Sequence, residues 1–187
     1  MFDAIVFAVL ACRFVPHAAL EIADAGKLRI GIIKTLIRDC RLSIHDISRI
    51  ELSDNGLPRF NMPLELGLWL GAAHFGGKMH RRKECLILES ERFRYQQFLS
   101  DIGGQDTYAH GNNTGTAITR VRDFLLAARL EHDPIPPGGP FLSRHFDDFQ
   151  SALPAICESE KLDLSELHFI DHVRLTSRWL IESGARI

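Results

Sequence analysis

Charge of one sign, long apolar runs and paired cysteines are all scarce in this chain of 187 residues. With Lys+Arg 22 against Asp+Glu 24 the formal net charge is -2. The basic face or high pI that marks a nucleic-acid footprint is therefore missing. The longest unbroken apolar run, "AIVFAVLAC" from Ala4 to Cys12, is far too short to span a bilayer. Asp3 precedes it directly, with neither a basic region nor a small-residue cleavage site, which argues against a signal peptide. The four cysteines, Cys12, Cys40, Cys85 and Cys157, are scattered and form no C-x-x-C pair. In a chain of this length that pattern predicts reduced, mostly buried thiols and a cytoplasmic protein. Internal repeats and low-complexity tracts are also lacking.

What is present reads as a globular protein. A hydrophobic fraction of 45% and a charged fraction of 25% are ordinary for a soluble domain. The length suits one domain, or one domain with a small appendage.

The run Ala4 to Cys12, rich in Val, Ile and Phe, predicts a strand buried on both faces. "LRIGIIKTLIRDC", Leu28 to Cys40, repeats apolar residues at helical spacing. "LSIHDIS", Leu42 to Ser48, reads as a second strand, followed by a polar loop with Asp54-Asn55-Gly56 and Pro58. "RFNMPLELGLWLGAAHFG", Arg59 to Gly76, predicts a helix with Pro63 in its first turn. "ECLILE", Glu84 to Glu89, reads as a third strand and "ERFRYQQFLSDI" as a helix. A short fourth strand is expected around Thr107 to His110, then an amphipathic helix over Thr116 to Leu130.

Strands alternating with helices predict an α/β fold with a mostly parallel sheet and flanking helices. "DPIPPGGP", Asp133 to Pro140, reads as a stiff connector. Residues Phe141 to Cys157 and Leu164 to Glu182 read as two helices. The expected division is an α/β domain over 1–132 and a helical C-terminal appendage over 141–187 packed on it.

Ligands of open parallel sheets bind beyond the carboxyl ends of the strands. That rule selects Cys12-Arg13-Phe14, the stretch His45 to Ser48, and Glu89-Ser90. It also explains Glu65, a lone carboxylate between Leu64 and Leu66. An ionised carboxylate on a buried surface is expensive unless it is paired or has work to do. One turn into its helix, Glu65 can face a crevice together with Asp46 while its apolar neighbours face the sheet.

The block "SIHDISRIELSDNGLPRFNMPLELGLWLGA" resembles a pattern shared by TIR-like nucleotide-binding proteins and nucleoside 2-deoxyribosyltransferase-like proteins. In that pattern a strand ends in an acidic and a small hydroxyl residue, here Asp46 and Ser48. An Asn-rich turn, here Asn61, leads into a helix that begins Glu-Leu-Gly, here Glu65-Leu66-Gly67. An "FNMP-ELG" block with a downstream "SDI-GQD" block, here Ser100 to Asp106, is similar to a bacterial branch of the same superfamily. The resemblance covers roughly the first half of the chain.

It implies a flavodoxin-like, TIR-like sheet that binds NAD or another nucleotide as substrate or ligand, with no further cofactor and no metal. It further implies hydrolysis or transfer at an N-glycosidic bond, an NADase-like activity. Breaking that bond builds positive charge on the sugar, which a carboxylate stabilises or captures. Carried over, Glu65 and Asp46 are the catalytic candidates, and Arg13, Phe14, Ser48, Asn61, Met62, Asp101, Gln105 and Asp106 the ligand-binding ones. A non-catalytic nucleotide-sensing module of TIR-like type is the alternative.

Plainer readings stand beside these. Glu65 can be a solvent-facing helix residue or a partner for Arg59, and Asp46 can cap the turn after its strand. Arg13 can hold a phosphate by a bidentate fork or form a surface salt bridge. The loop "SDIGGQDTYAHGNN", with His110 and Asn112, reads as a lid or as plain turns. His168 and His172 share helical spacing without a third ligand, which argues against a metal. "KMHRRK", Lys78 to Lys83, reads as a solvated basic turn or a contact for a phosphate or partner. Gly67, Gly71 and Ala72 form a small face for close helix packing within the domain or in a homodimer. Neither nucleic acid nor a membrane is an expected partner.

Overall fold

The computed structural model describes residues 1–21, 26–49 and 60–184. The loop with Asp54-Asn55-Gly56 and Pro58, and Arg59 as a partner for Glu65, lie outside the described residues. By its contacts the chain divides into two compact units. The first comprises Met1–Ala23 with Asn113–Ile187, the second Asp24–Asn112.

The first unit is helical. It holds α1 (Phe2–Ala11), α4 (Thr114–Ala128), α5 (Gly139–Ser159) and α6 (Phe169–Glu182). The run Ala4 to Cys12 is thus a helix and not the expected strand. From Val6 to Cys12 every residue is buried, and a segment covered on all sides shows no periodicity from which to choose between helix and strand. Ala4, Ala8 and Ala11, all buried, supply helix propensity and let neighbouring helices approach. Phe7 joins Phe146, Phe149 and Trp179, with ring centroids 5.4, 6.0 and 6.2 Å away.

The remaining helices show the stripe that the sequence predicts. α5 buries Leu142, Phe146, Phe149, Leu153 and Cys157, three or four residues apart. Asn113 caps α4 by accepting the Thr116 amide at 2.8 Å. The Asp133 to Pro140 segment lies within this unit, pinned to α4 by Arg122, which donates to the carbonyls of Pro137 and Pro136 at 2.8 and 2.9 Å. His172 meets Asp3 at 2.8 Å, tying α6 to α1.

The second unit is α/β. It holds α2 (Arg29–Asp39), β1 (Leu42–Asp46), α3 (Asn61–Phe75), β2 (Glu84–Glu89) and β3 (Thr107–Ala109). The three strands form a parallel sheet in the order β1-β2-β3, with Asp46 paired to Leu88 and Glu89 to Ala109. Its core joins Ile47, Leu66, Ile87 and Tyr95, with Met62, Leu70 and Phe98 packed against them.

Where one helix is expected in "ERFRYQQFLSDI", the chain makes two 3-10 turns, Arg94–Gln97 and Ser100–Ile102. Phe93 adopts a left-handed backbone, φ 65°, which no α-helix contains. The Glu89 carboxylate accepts the amides of Phe93 and Tyr95 at 3.2 Å each, so those donors serve a side chain and not a helix ladder.

Candidate functional site

The carboxyl edge of the sheet is built from Asp46 to Ser48 at the end of β1, Glu89-Ser90 at the end of β2 and His110 just past β3. The ladder continues past the strands through three backbone bonds, from Ile47, His110 and Gly111 to the carbonyls of Leu88, Glu89 and Ser90, at 2.9, 2.9 and 3.0 Å.

Side chains then lock this edge. β1 and β3 flank β2 and lie about 10 Å apart, yet His110 Nε2 reaches Asp46 Oδ1 at 3.4 Å over the end of β2. His110 Nδ1 accepts the amide of Asn112 at 3.0 Å. The ring proton therefore sits on Nε2, facing Asp46. Left-handed backbones at Gly111 and Asn112, φ 58° and 56°, turn that amide back onto the ring. Asp46 Oδ1 also accepts the Ser48 amide at 3.0 Å. With both nitrogens engaged, His110 has no lone pair left to act as a general base, and it serves as a clamp.

Glu89, 2% exposed, is held in the same manner. Besides the two amides it accepts the Thr107 hydroxyl. A carboxylate with three donors meets the requirement for burying a charge. Arg94 Nη1 donates to Ser90 Oγ at 2.9 Å and to the Ser48 carbonyl at 3.5 Å, joining the ends of β1 and β2.

Glu65 differs. It is half-buried on the flank of α3 beside Leu66 and Trp69. Among the described residues it accepts no hydrogen bond and forms no ion pair. Lost hydration pushes its carboxyl above the usual range, and the charge of Arg29 on α2 offsets part of this. Asn61 lies one helical turn away on the same face and is exposed. No hydrogen bond joins Glu65 to Asp46 among the described residues.

The other expected residues fall in three places. Met62 packs into the core cluster beneath α3. Asp101, Gln105 and Asp106 are exposed on the turns leading into β3. Arg13 and Phe14 follow helix α1 in the first unit, so the strand end that selected them does not exist. They line a cleft of about 90 Å³ with Cys12, Leu125, Arg129 and Asp133. Nucleotide-sized ligands occupy pockets of roughly 300 Å³ or more, so this cleft admits only a small group. Burial pushes the Cys12 thiol up to about 12, which leaves it unreactive. His168 occupies the N-cap position of α6 with no side-chain capping bond among the described residues, while His172 meets Asp3. No cluster of three or more metal-ligating side chains occurs among the described residues.

His110 and Arg94 are the edge residues that sequence reasoning did not single out for their roles. A search for polar residues just beyond each strand finds His110, because β3 ends at Ala109. Nothing local announces Arg94. No protein-family model, no curated protein and no solved structure matches the chain.

Proposed function

We propose that the α/β unit, Asp24–Asn112, binds a nucleotide at the carboxyl edge of a flavodoxin-like sheet and acts at its N-glycosidic bond, with Glu65 at the ribose. The observation that carries this reading is the state of Glu65. Buried carboxylates are as a rule hydrogen-bonded or paired, as Glu89 is. Glu65 is desolvated without such a partner among the described residues, the condition in which a carboxyl is available to a ligand. A carboxyl raised by burial can protonate a leaving base or, when ionised, stabilise positive charge on a sugar. Asn61 on the same face and Ser48 at the strand end are the polar groups to orient the sugar.

The test is incubation with NAD and with nucleosides, following the release of free base. Glu65→Gln is expected to lower that release about a hundredfold or more. The same change should raise thermal stability at neutral pH, because the amide carries no desolvated charge. The folded carboxyl is raised, so ionisation costs stability once pH rises above the unfolded value. The gain should therefore shrink as pH falls into the carboxylate range. Base release unchanged in Glu65→Gln would sink the assignment.

A second reading, a nucleotide-sensing module without turnover, is favoured by Asp46. Its carboxylate is already engaged by the Ser48 amide and by His110, which suits a fixed binding edge better than a free catalytic group. Saturable stabilisation by a nucleotide with no base released would select it.

A further inference from the structure

The base of α3 carries a feature that the nucleotide reading does not use. Phe75 and Met79 are the two most exposed large hydrophobic side chains among the described residues, at 86% and 82%. Between and beyond them stand Lys78, Arg81 and Arg82, all exposed. None of these three cations forms an ion pair or hydrogen bond among the described residues. From Phe75 to Lys83 there is no acidic residue. The next one, Glu84, is engaged by Arg41 at 2.8 Å.

The turn is held in shape. His80 donates its amide to the Gly77 carbonyl at 2.9 Å, and its ring packs against Gly76, where an added Cβ would collide with it and with the Ala72 carbonyl. Lys83 is drawn inward instead, donating to the Cys40 carbonyl and standing 4.4 Å over the Trp69 ring. At Gly77, by contrast, an added Cβ would meet nothing within 4 Å. The segment is a firm corner that presents two apolar side chains and three uncompensated cations to solvent.

We propose that this corner, Phe75 to Arg82, is a docking surface for an anionic lipid bilayer, contacted reversibly and peripherally. Charge complementarity supplies the occupant. Each Lys or Arg near an anionic membrane surface strengthens binding by about fivefold, so three supply on the order of a hundredfold. Phe75 and Met79 add apolar insertion at the headgroup level. Their protrusion favours lipid over an acidic protein. A protein surface would need a matched pocket for each side chain, whereas a fluid interface admits both without one. The proposal is independent of the nucleotide reading, since it involves neither Glu65 nor the carboxyl edge.

The test is co-sedimentation of the full chain with vesicles of equimolar phosphatidylserine and phosphatidylcholine, and with vesicles of phosphatidylcholine alone. Binding is expected to the first, weakening as salt rises, and far less to the second. Arg81→Glu with Arg82→Glu, and separately Phe75→Ser with Met79→Ser, should each weaken binding about tenfold or more. These side chains are exposed, and circular dichroism of each variant verifies the fold. Absence of binding to the anionic vesicles overturns the proposal. So does binding that survives the apolar pair of changes, which would be counter-ion adsorption only. Capture of soluble polyglutamate without vesicle binding would reassign the corner to an acidic protein partner.

Discussion

His45 shows how much one side chain commits the fold to a pH range. It is 6% exposed, and among the described residues neither ring nitrogen has a hydrogen-bond partner. Its nearest ring neighbour is Trp69, with centroids 6.1 Å apart, and the Lys83 amine stands over that same Trp69 ring. Burial lowers the His45 pKa from 6.5 to about 4. A histidine depressed in the folded state stays neutral there while the unfolded chain takes up a proton. Stability is therefore unaffected above the unfolded value and falls as pH drops from 6.5 toward 4. A separation of that size corresponds to about 3 kcal/mol. Urea titrations across this interval should show His45→Leu losing markedly less stability than the parent chain. Parallel curves for the two proteins would mean that His45 finds a partner in solution. Glu89 illustrates the opposite solution at the next polar position along the edge. It is buried as well, yet three donors surround it.

At the level of the element, helix α1 ends in a conformation that glycine would adopt more cheaply. Phe14 donates its amide to the Val9 carbonyl at 3.1 Å and Arg13 to Leu10 at 3.0 Å, the paired bonds of a Schellman motif. The residue that must turn left-handed is Arg13, φ 65°. A side chain there costs about 1 kcal/mol relative to glycine. Arg13→Gly should raise stability by about that amount in thermal or chemical unfolding, and a loss would show that the guanidinium holds the cleft together. This cap was invisible in the sequence because the preceding run reads equally as a strand. β1, β2, α3 and α4 were legible and lie within two residues of their expected limits. So was the carboxyl edge, because polar residues follow each strand. Long-range partners were not. Asp46 and His110 stand 64 residues apart, and no spacing rule links them. The turns after β2 were misread because the carboxylate that captures their amides belongs to a strand.

For the molecule as a whole, the consequential fact is that the helical unit is discontinuous in sequence. Its first part ends at Ala23 and its second begins at Asn113, with the α/β unit between them in the chain. Helix α1 supplies that unit with Val6, Phe7, Val9 and Leu10, all buried. Each large apolar side chain contributes roughly 1.5–3 kcal/mol when removed from water. Four together approach about 8 kcal/mol, comparable with the roughly 5–15 kcal/mol that stabilises an entire domain. A fragment spanning residues 113–187 should therefore lack a cooperative unfolding transition. Addition of a peptide covering residues 1–23 should restore helical circular dichroism and tryptophan burial in a concentration-dependent manner, since the Phe7 ring stands 6.2 Å from Trp179. The segment 24–112 carries its own sheet and core cluster, and it should fold without either part. Cooperative unfolding of 113–187 alone would show that α5 and α6 close their core without α1, and the contact division would then not describe the folding units.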